Sequence, residues 1–252
     1  MSETADTAPP AAPGTTQAHA TNQYGQPIGL PLASWRAPQA PARKILPGRW
    51  CTVEPLDPER HARALYAANS LDGDGRHWTY LLSEPFSSQD EYTQWLRGVS
   101  LTDDPQFYTF CDAKTGAPIG LGSYLRITPA AGTIEVGHLR FSSLMQRTPA
   151  ATEAMYLMMK NAFAMGYRRY EWKCDAFNAP SRRAATRYGF TFEGIFRQAM
   201  VYKDRNRDTA WFSILDNEWP ALEDAFEQWL APENFDTNGN QRRRLEAVRE
   251  AQ

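Results

Sequence analysis

Two ionisable side chains, Glu135 and His138, stand three residues apart in Thr133–Phe141, a run that reads as a strand. A carboxylate and an imidazole are groups that take up and return protons. Alternation places Glu135 on one face with Gly137 and Leu139, and Ile134, Val136 and His138 on the other. Downstream, Met145-Gln146-Arg147-Thr148-Pro149-Ala150-Ala151 leads into an apolar helix expected from Thr152 to Met165. A loop that opens a helix carries backbone N–H groups with no intrahelical partner, and these can seat a pyrophosphate. Arg147 and the hydroxyls of Thr148 and Thr152 suit the same anion, although Arg147 also reads as a solvated surface arginine. Asn178 and Ser181 flank the start of a short helix, for which Ser181 is a good N-cap. Glu135 has a plainer reading too, as a strand carboxylate paired with Arg126.

The elements that must position these groups follow from periodicity and punctuation. Gly48–Leu56 reads as a first strand, and Asp57 caps a helix running to Asn69 with Pro58 at its first position. Ser88–Val99 is a second helix, and Phe107–Asp112 with Ile119–Ile127 form a hairpin. After the Thr133 strand and its helix, which Gly166 ends, come a strand at Tyr170–Cys174 and a helix at Ser181–Tyr188. A closing hairpin turns through Asp204–Arg207 and returns along Asp208–Leu215. The succession is α/β (α+β), one domain with helices flanking a mixed central sheet. Residues 1–42 read as a flexible N-terminal arm, 43–220 as the packed domain and 221–252 as a C-terminal helical extension, with a frayed helix expected from Gln241.

Composition narrows the partners. A formal net charge of −2 gives no basic field for nucleic acid, no run approaches the roughly 18 apolar residues of a membrane span, and Met1–Ala20 lacks a basic n-region followed by an apolar h-region. The expected compartment is the cytoplasm. Cys51, Cys111 and Cys174 are widely separated and lack metal-ligand spacing, so they read as buried thiols and no metal site is expected. The methionines and Phe163 of the Thr152 helix read as core.

Ile134-Glu135-Val136-Gly137-His138-Leu139, Met145–Ala154, Asn178-Ala179-Pro180-Ser181-Arg182-Arg183-Ala184-Ala185, Tyr188-Gly189-Phe190 and Glu193-Gly194 together resemble the GNAT N-acetyltransferase superfamily. Within it the chain is similar to the ribosomal-protein N-terminal acetyltransferases, over residues 45–220. The resemblance implies a fold of mostly antiparallel sheet, acetyl-CoA as co-substrate, and direct attack by a primary amine in a ternary complex, the acceptor being a protein N-terminus or a small molecule. It implies that Met145, Gln146, Arg147, Thr148, Ala150, Ala151 and Thr152 surround the CoA pyrophosphate, with Pro149 replacing a glycine of the family pattern and donating no N–H. Asn178 and Ser181 match the positions beside the pantetheine arm and thiol. Glu135 matches an acid facing the acceptor channel and is the expected base, with His138 the weaker alternative; Ser181 or a water would return the proton to the thiolate. Tyr188 is out of register for that role, and Cys174 as an acyl-accepting nucleophile departs from the family's direct transfer. A non-catalytic CoA-binding sensor on the same fold is the rival reading, and a homodimer is left open.

Overall fold

The structure, a computed structural model, describes residues 18–251. The chain forms two compact units, Met1–Arg36 and Ala37–Gln252. In the first, β1 (Ala20–Thr21) pairs antiparallel with β2 (Pro27–Ile28). The Asn22 side chain closes that hairpin, accepting from the backbone N–H groups of Tyr24 and Gln26 at 2.9 and 3.0 Å. The start of the expected arm, residues 1–17, lies outside the described residues.

The second unit runs β3 (Leu46–Pro47), β4 (Cys51–Pro55), α1 (Pro58–Ser70), α2 (Gln89–Ser100), β5 (Gln106–Asp112), β6 (Pro118–Thr128), β7 (Thr133–Phe141), α3 (Pro149–Ala164), β8 (Arg169–Asp175), α4 (Ala179–Arg187), β9 (Thr191–Tyr202), β10 (Arg205–Leu215), α5 (Trp219–Leu230) and α6 (Leu245–Arg249). Its strands form one sheet in the order β3-β4-β5-β6-β7-β8-β10-β9. Every neighbouring pair is antiparallel except β7 with β8, which α3 joins as a crossover. The expected mixed, mostly antiparallel sheet with flanking helices is what the chain adopts.

Capping sets the helix starts on the first face. Asp57 Oδ1 accepts from the N–H groups of Glu59 and Arg60 at 3.0 and 3.3 Å, and Ser88 Oγ accepts from that of Glu91 at 3.1 Å. α1 and α2 then bury Leu65, Tyr92 and Leu96 against Phe107 and Leu121 of β5 and β6. The opposite face packs under α3 and α5, where Ile134, Val136, Met155, Met158 and Phe226 are all at most 1% exposed. Burying each such side chain stabilises the fold by about 1.5–3 kcal/mol. α3 is apolar nearly all round because it lies between sheet and α5.

Glu153, in the first turns of α3, ties the sheet edge to this helix. Its carboxylate accepts from the backbone N–H groups of Arg49, Trp50 and Cys51 at 2.9, 2.5 and 2.7 Å. Gly48 leaves room for it, since a Cβ there would come within 2.5 Å of Glu153 Oε2. Residues before Arg43 also belong to this unit: the carbonyls of Gln39, Pro41 and Ala42 accept from Tyr167, Gln106 and Tyr108.

Two expectations are corrected. α3 begins at Pro149, three residues before Thr152, because proline fits the first position of a helix, where no intrahelical bond is lost. The segment after Gln241 is not frayed: Leu245 and Val248 of α6 are 0% and 2% exposed, and Arg249 Nη1 donates to the carbonyls of Thr186 and Arg187 at 2.9 Å. The run Arg242-Arg243-Arg244 hid an apolar i, i+3 pair from the reading of charge. No helix among the described residues is long and apolar enough to cross a membrane.

Candidate active site

The parallel pairing of β7 and β8 stops at Val136 opposite Trp172, although β7 runs on to Phe141 and β8 to Asp175. Beyond that point each strand turns unpaired backbone groups toward the other, leaving a wedge that an extended chain with its own amides can fill. The loop and helix start after β7 and the α4 start after β8 stand at its end.

Inside β7 the strand phase changes. His138 adopts φ 51°, and the register against β6 shifts between Gly137 and Arg140, which is a β-bulge. His138 therefore lies on the same face as Glu135, not the opposite face expected from alternation: its Nδ1 is 2.8 Å from Ser123 Oγ and its ring packs 5.0 Å from Phe107. Leu139 moves to the core face, where it borders Phe110 across Gly122. Burial first, and then the Arg126 and Arg140 charges, push the His138 pKa down to about 4, so the imidazole is neutral at pH 7.

Glu135 is 3% exposed. Arg126 Nη1 lies 2.7 and 2.8 Å from its two oxygens, and Lys173 Nζ is 2.8 Å from Oε2. Arg126 is the partner that the plainer sequence reading named; Lys173 was missed, because its spacing alone does not separate a buried ion pair from a solvated lysine. Lys173 also pairs with Glu171 at 2.7 Å and lies 3.7 Å from the Trp211 ring centroid. Burial pushes the Glu135 carboxyl above the usual carboxylate range, and the two cations pull it back.

The helix start follows directly on the loop Met145–Thr148. Thr148 is the N-cap residue and Pro149 occupies the first helical position, so the substitution of proline for glycine removes an N–H from the array that faces a ligand but no bond from the helix. The Thr148 hydroxyl donates to the Met145 carbonyl at 2.6 Å, and Thr152 Oγ1 accepts from Arg187 Nη1 at 3.0 Å. Arg187 thus joins the loop from α4, a residue the sequence did not single out. Met145 is fully buried, and Gln146 Nε2 donates to the Phe141 carbonyl at 2.8 Å. Arg147, at φ 61°, is exposed.

At α4 the cap is Asn178, not Ser181: Asn178 Oδ1 accepts from the Ser181 N–H at 3.1 Å. Pro180 explains the earlier start, since it fits the first turn. Ser181 Oγ accepts from Trp172 Nε1 at 3.0 Å and lies beside Cys174, whose thiol burial pushes up. Tyr188 packs against Trp172 and Phe226 at 5% exposure. Arg169 is spent on Glu171 and Glu193, and Arg182 Nη1 donates to the Ala176 carbonyl.

The connection 71–88 between α1 and α2 crosses this end of the sheet. Tyr80 donates to the Phe177 carbonyl at 3.2 Å, Lys203 to that of Trp78 at 2.8 Å and Arg205 to that of Thr79 at 3.0 Å. Elsewhere, Glu54, His61 and Cys111 bring one donor atom each within 4.8 Å of one another. His61 Nδ1 accepts from the Asp57 N–H at 3.1 Å, so the ring hydrogen is on Nε2, 3.5 Å from Glu54 Oε2, where a metal ligand would need a lone pair.

The site thus combines a split parallel pair, a bulge in its first strand and a helix start at its open end. Residues 51–191 match the model of the acetyltransferase (GNAT) domain, and the chain belongs to the GNAT acetyltransferase family. It is similar to a GCN5-related N-acetyltransferase from Brucella melitensis, at 48% identity over 87% of this chain and 100% of that one, with a TM-score of 0.85. A probable GNAT acetyltransferase from Chromobacterium violaceum is 40% identical over 84% of this chain and all of its own, with a TM-score of 0.72. The fold also resembles RimL, a ribosomal L7/L12 α-N-protein acetyltransferase solved in complex with coenzyme A, at 21% identity over 68% of this chain and 98% of that one and a TM-score of 0.58. No curated protein matches. The protein is an acetyltransferase, and the enzymes of its fold use acetyl-CoA.

Proposed function

We propose that the protein transfers acetyl from acetyl-CoA directly to a primary amine in a ternary complex. The observation that carries this reading is the parting of β7 and β8 beyond Val136 and Trp172, with the α3 N-terminus at the open end. The pantetheine arm lies between the strands, and its amides pair with the free groups of β7 and β8. The pyrophosphate sits on the amides of Ala150, Ala151 and Thr152, with Gln146, Arg147, Thr148 and Arg187 around it. Met145 contributes its backbone alone to that loop. Asn178 and Ser181 flank the thiol end.

The amine approaches on the face of Glu135 and His138, where α1 packs mainly on β6 and α2 mainly on β5. An ammonium has no lone pair to attack a thioester, so a base must take its proton. Both oxygens of Glu135 are held by cations, which makes the neutral His138 imidazole the freer base and Glu135 the carboxylate that fixes Arg126 and Lys173 beside it. Ser181 is the proposed donor to the departing thiolate. The likeness to RimL makes a protein N-terminus one acceptor to test, beside small amines. Three buried, unpaired cysteines suit a reducing compartment, and we place the enzyme in the cytoplasm.

The test is an amine panel with acetyl-CoA, read by thiol release, together with thermal unfolding. Acetyl-CoA should raise the Tm by binding the native state, and at least one amine class should release thiol. No Tm shift at millimolar acetyl-CoA would sink the assignment of the wedge.

A further inference from the structure

Burial and the Arg126 and Arg140 charges keep the His138 imidazole neutral at pH 7, so the ring carries a single N–H, on either Nδ1 or Nε2. Only the nitrogen without that hydrogen can take a proton from an amine. Which one is free depends on what the Ser123 hydroxyl does.

The β7 bulge brings two groups to that hydroxyl. Ser123 stands opposite Gly137 in the β6–β7 ladder, and the αL backbone of His138, at φ 51°, turns the ring toward the same serine. Ser123 Oγ is 3.3 Å from the Gly137 carbonyl oxygen and 2.8 Å from His138 Nδ1. Ser123 is 0% exposed, so water does not compete for the hydroxyl. A carbonyl oxygen only accepts, and a hydroxyl has one hydrogen to give. Both contacts are hydrogen bonds in one arrangement alone: Oγ donates to the Gly137 carbonyl and accepts from Nδ1–H. Were Oγ to donate to Nδ1 instead, the two oxygens would face each other with no hydrogen between them, and buried polar groups favour the arrangement that satisfies both contacts. Phe107, packed 5.0 Å from the imidazole, supports the ring in this position. Nε2 meets no hydrogen-bond partner among the described residues, yet it is not one of the fully enclosed polar atoms, so it lies open.

We propose that Ser123 is a positioning residue that fixes His138 as its Nδ1–H tautomer and so presents the Nε2 lone pair to the acceptor amine. The proposal rests on the reading of His138 as the base and names the atom that accepts the proton. As the amine nitrogen bonds the thioester carbon and the C–S bond breaks, the amine proton passes to Nε2, which later loses it to solvent, while the departing thiolate takes its own proton through Ser181. The imidazolium formed on the way still donates from Nδ1 to Ser123 Oγ, so the pair needs no rearrangement during the step.

The test is nitrogen-15 NMR of the full chain labelled at histidine, with His138→Gln assigning the His138 signals. At pH 7 the wild type should show a protonated, pyrrole-like Nδ1 and an unprotonated, pyridine-like Nε2. Ser123→Ala should shift the tautomer ratio toward Nε2–H by roughly fivefold, the worth of one neutral hydrogen bond. It should also lower kcat with KM for acetyl-CoA unchanged, and Ser123→Thr, which restores the hydroxyl, should return both the ratio and kcat toward the wild type. An unprotonated Nδ1 in the wild type overturns the proposal, and so does a Ser123→Ala chain with an unchanged ratio. Should Ser123→Ala fail to fold, the wild-type spectrum and Ser123→Thr decide. If the ratio moves in Ser123→Ala while kcat does not, the hold of Ser123 on the ring stands and only the reading of His138 as the base is overturned.

Discussion

At the scale of single residues, the bulge at His138 decides which side chains share the acceptor face. One αL residue turns an imidazole expected on the core face toward Ser123 and Phe107, and leaves it neutral. His138→Gln is expected to lower kcat by roughly 10²–10⁴-fold with CoA affinity unchanged, the usual worth of a positioned base. Retained turnover would move the base to a water held near Glu135. The same imidazole makes stability depend on pH. Its folded pKa of about 4 is below the unfolded value of 6.5, so between those values the unfolded chain binds the extra proton. Stability is therefore full above pH 6.5 and falls by up to about 3 kcal/mol as the pH drops toward 4. His61, whose pKa burial also lowers, adds a loss of the same sign. Urea unfolding at pH 7 and pH 4.5 measures this, and the difference should shrink in His138→Gln. Arg147→Ala, in contrast, is expected to raise KM for acetyl-CoA with little change in kcat, because a phosphate contact is equally strong in ground and transition states. A fall in kcat at constant KM would remove Arg147 from the phosphate site.

At the scale of elements, what the sequence made legible was whatever depends on local signals. β7 spans Thr133–Phe141 as its alternation and turn residues indicated, Asp57 caps the helix that it was expected to cap, and the second helix, read from Ser88, runs Gln89–Ser100 with Ser88 as its cap. What depends on tertiary contact was not legible. The phase change at His138 has no signature in side-chain type, and the pairing of Glu135 with Lys173 requires knowing that β8 lies parallel beside β7. Proline at position 149 departs from the glycine pattern in sequence, and its fit to the first position of α3 depends on where the helix starts. Glu153 is a further case, a carboxylate in an apolar helix whose partners are backbone groups about a hundred residues earlier. Gly48→Ala tests that junction. The added Cβ meets the Glu153 carboxylate at 2.5 Å and the Cys51 carbonyl at 2.6 Å, and one of these is backbone that cannot rotate away. The substitution is expected to cost about 1–3 kcal/mol as an overpacking change, read as a lower urea midpoint at unchanged m-value. An unaltered midpoint would mean that the β4 edge shifts freely and that the Glu153 contacts carry little.

At the scale of the whole molecule, the C-terminal extension is part of the catalytic unit. α5 lies on α3, with Tyr156, Phe163 and Trp219 stacked and the Tyr156 hydroxyl and Lys160 both bonded to Glu227. α6 returns the chain to α5 and reaches α4, where Arg249 donates to the carbonyls of Thr186 and Arg187 that end the helix. The Thr186 carbonyl also accepts from the Gly189 N–H at 3.1 Å, so Arg249 adds a second donor there, bonds the Arg187 carbonyl, and sets a cation against the negative end of the dipole. Arg187 in turn holds Thr152, in the first turn of α3. A truncation after Asn240 removes buried Leu245 and Val248, the Gln241 acceptor of Trp229 Nε1 and the Arg249 cap together. Each lost aliphatic side chain should cost about 1.5–3 kcal/mol. The Tm should therefore fall sharply, and CoA affinity should fall with it, because α4 loses the contact that fixes Arg187 beside the loop. Arg249→Ala separates the two effects. It leaves Leu245 and Val248 buried, so it should cost about 1–3 kcal/mol for the hydrogen bonds to a charged group while weakening CoA through the loosened Arg187. Calorimetric titration of acetyl-CoA into both variants measures this. If Arg249→Ala binds as tightly as the wild type while the truncation does not, α6 supports the core alone and the path from Arg249 through Arg187 to Thr152 carries nothing to the cofactor.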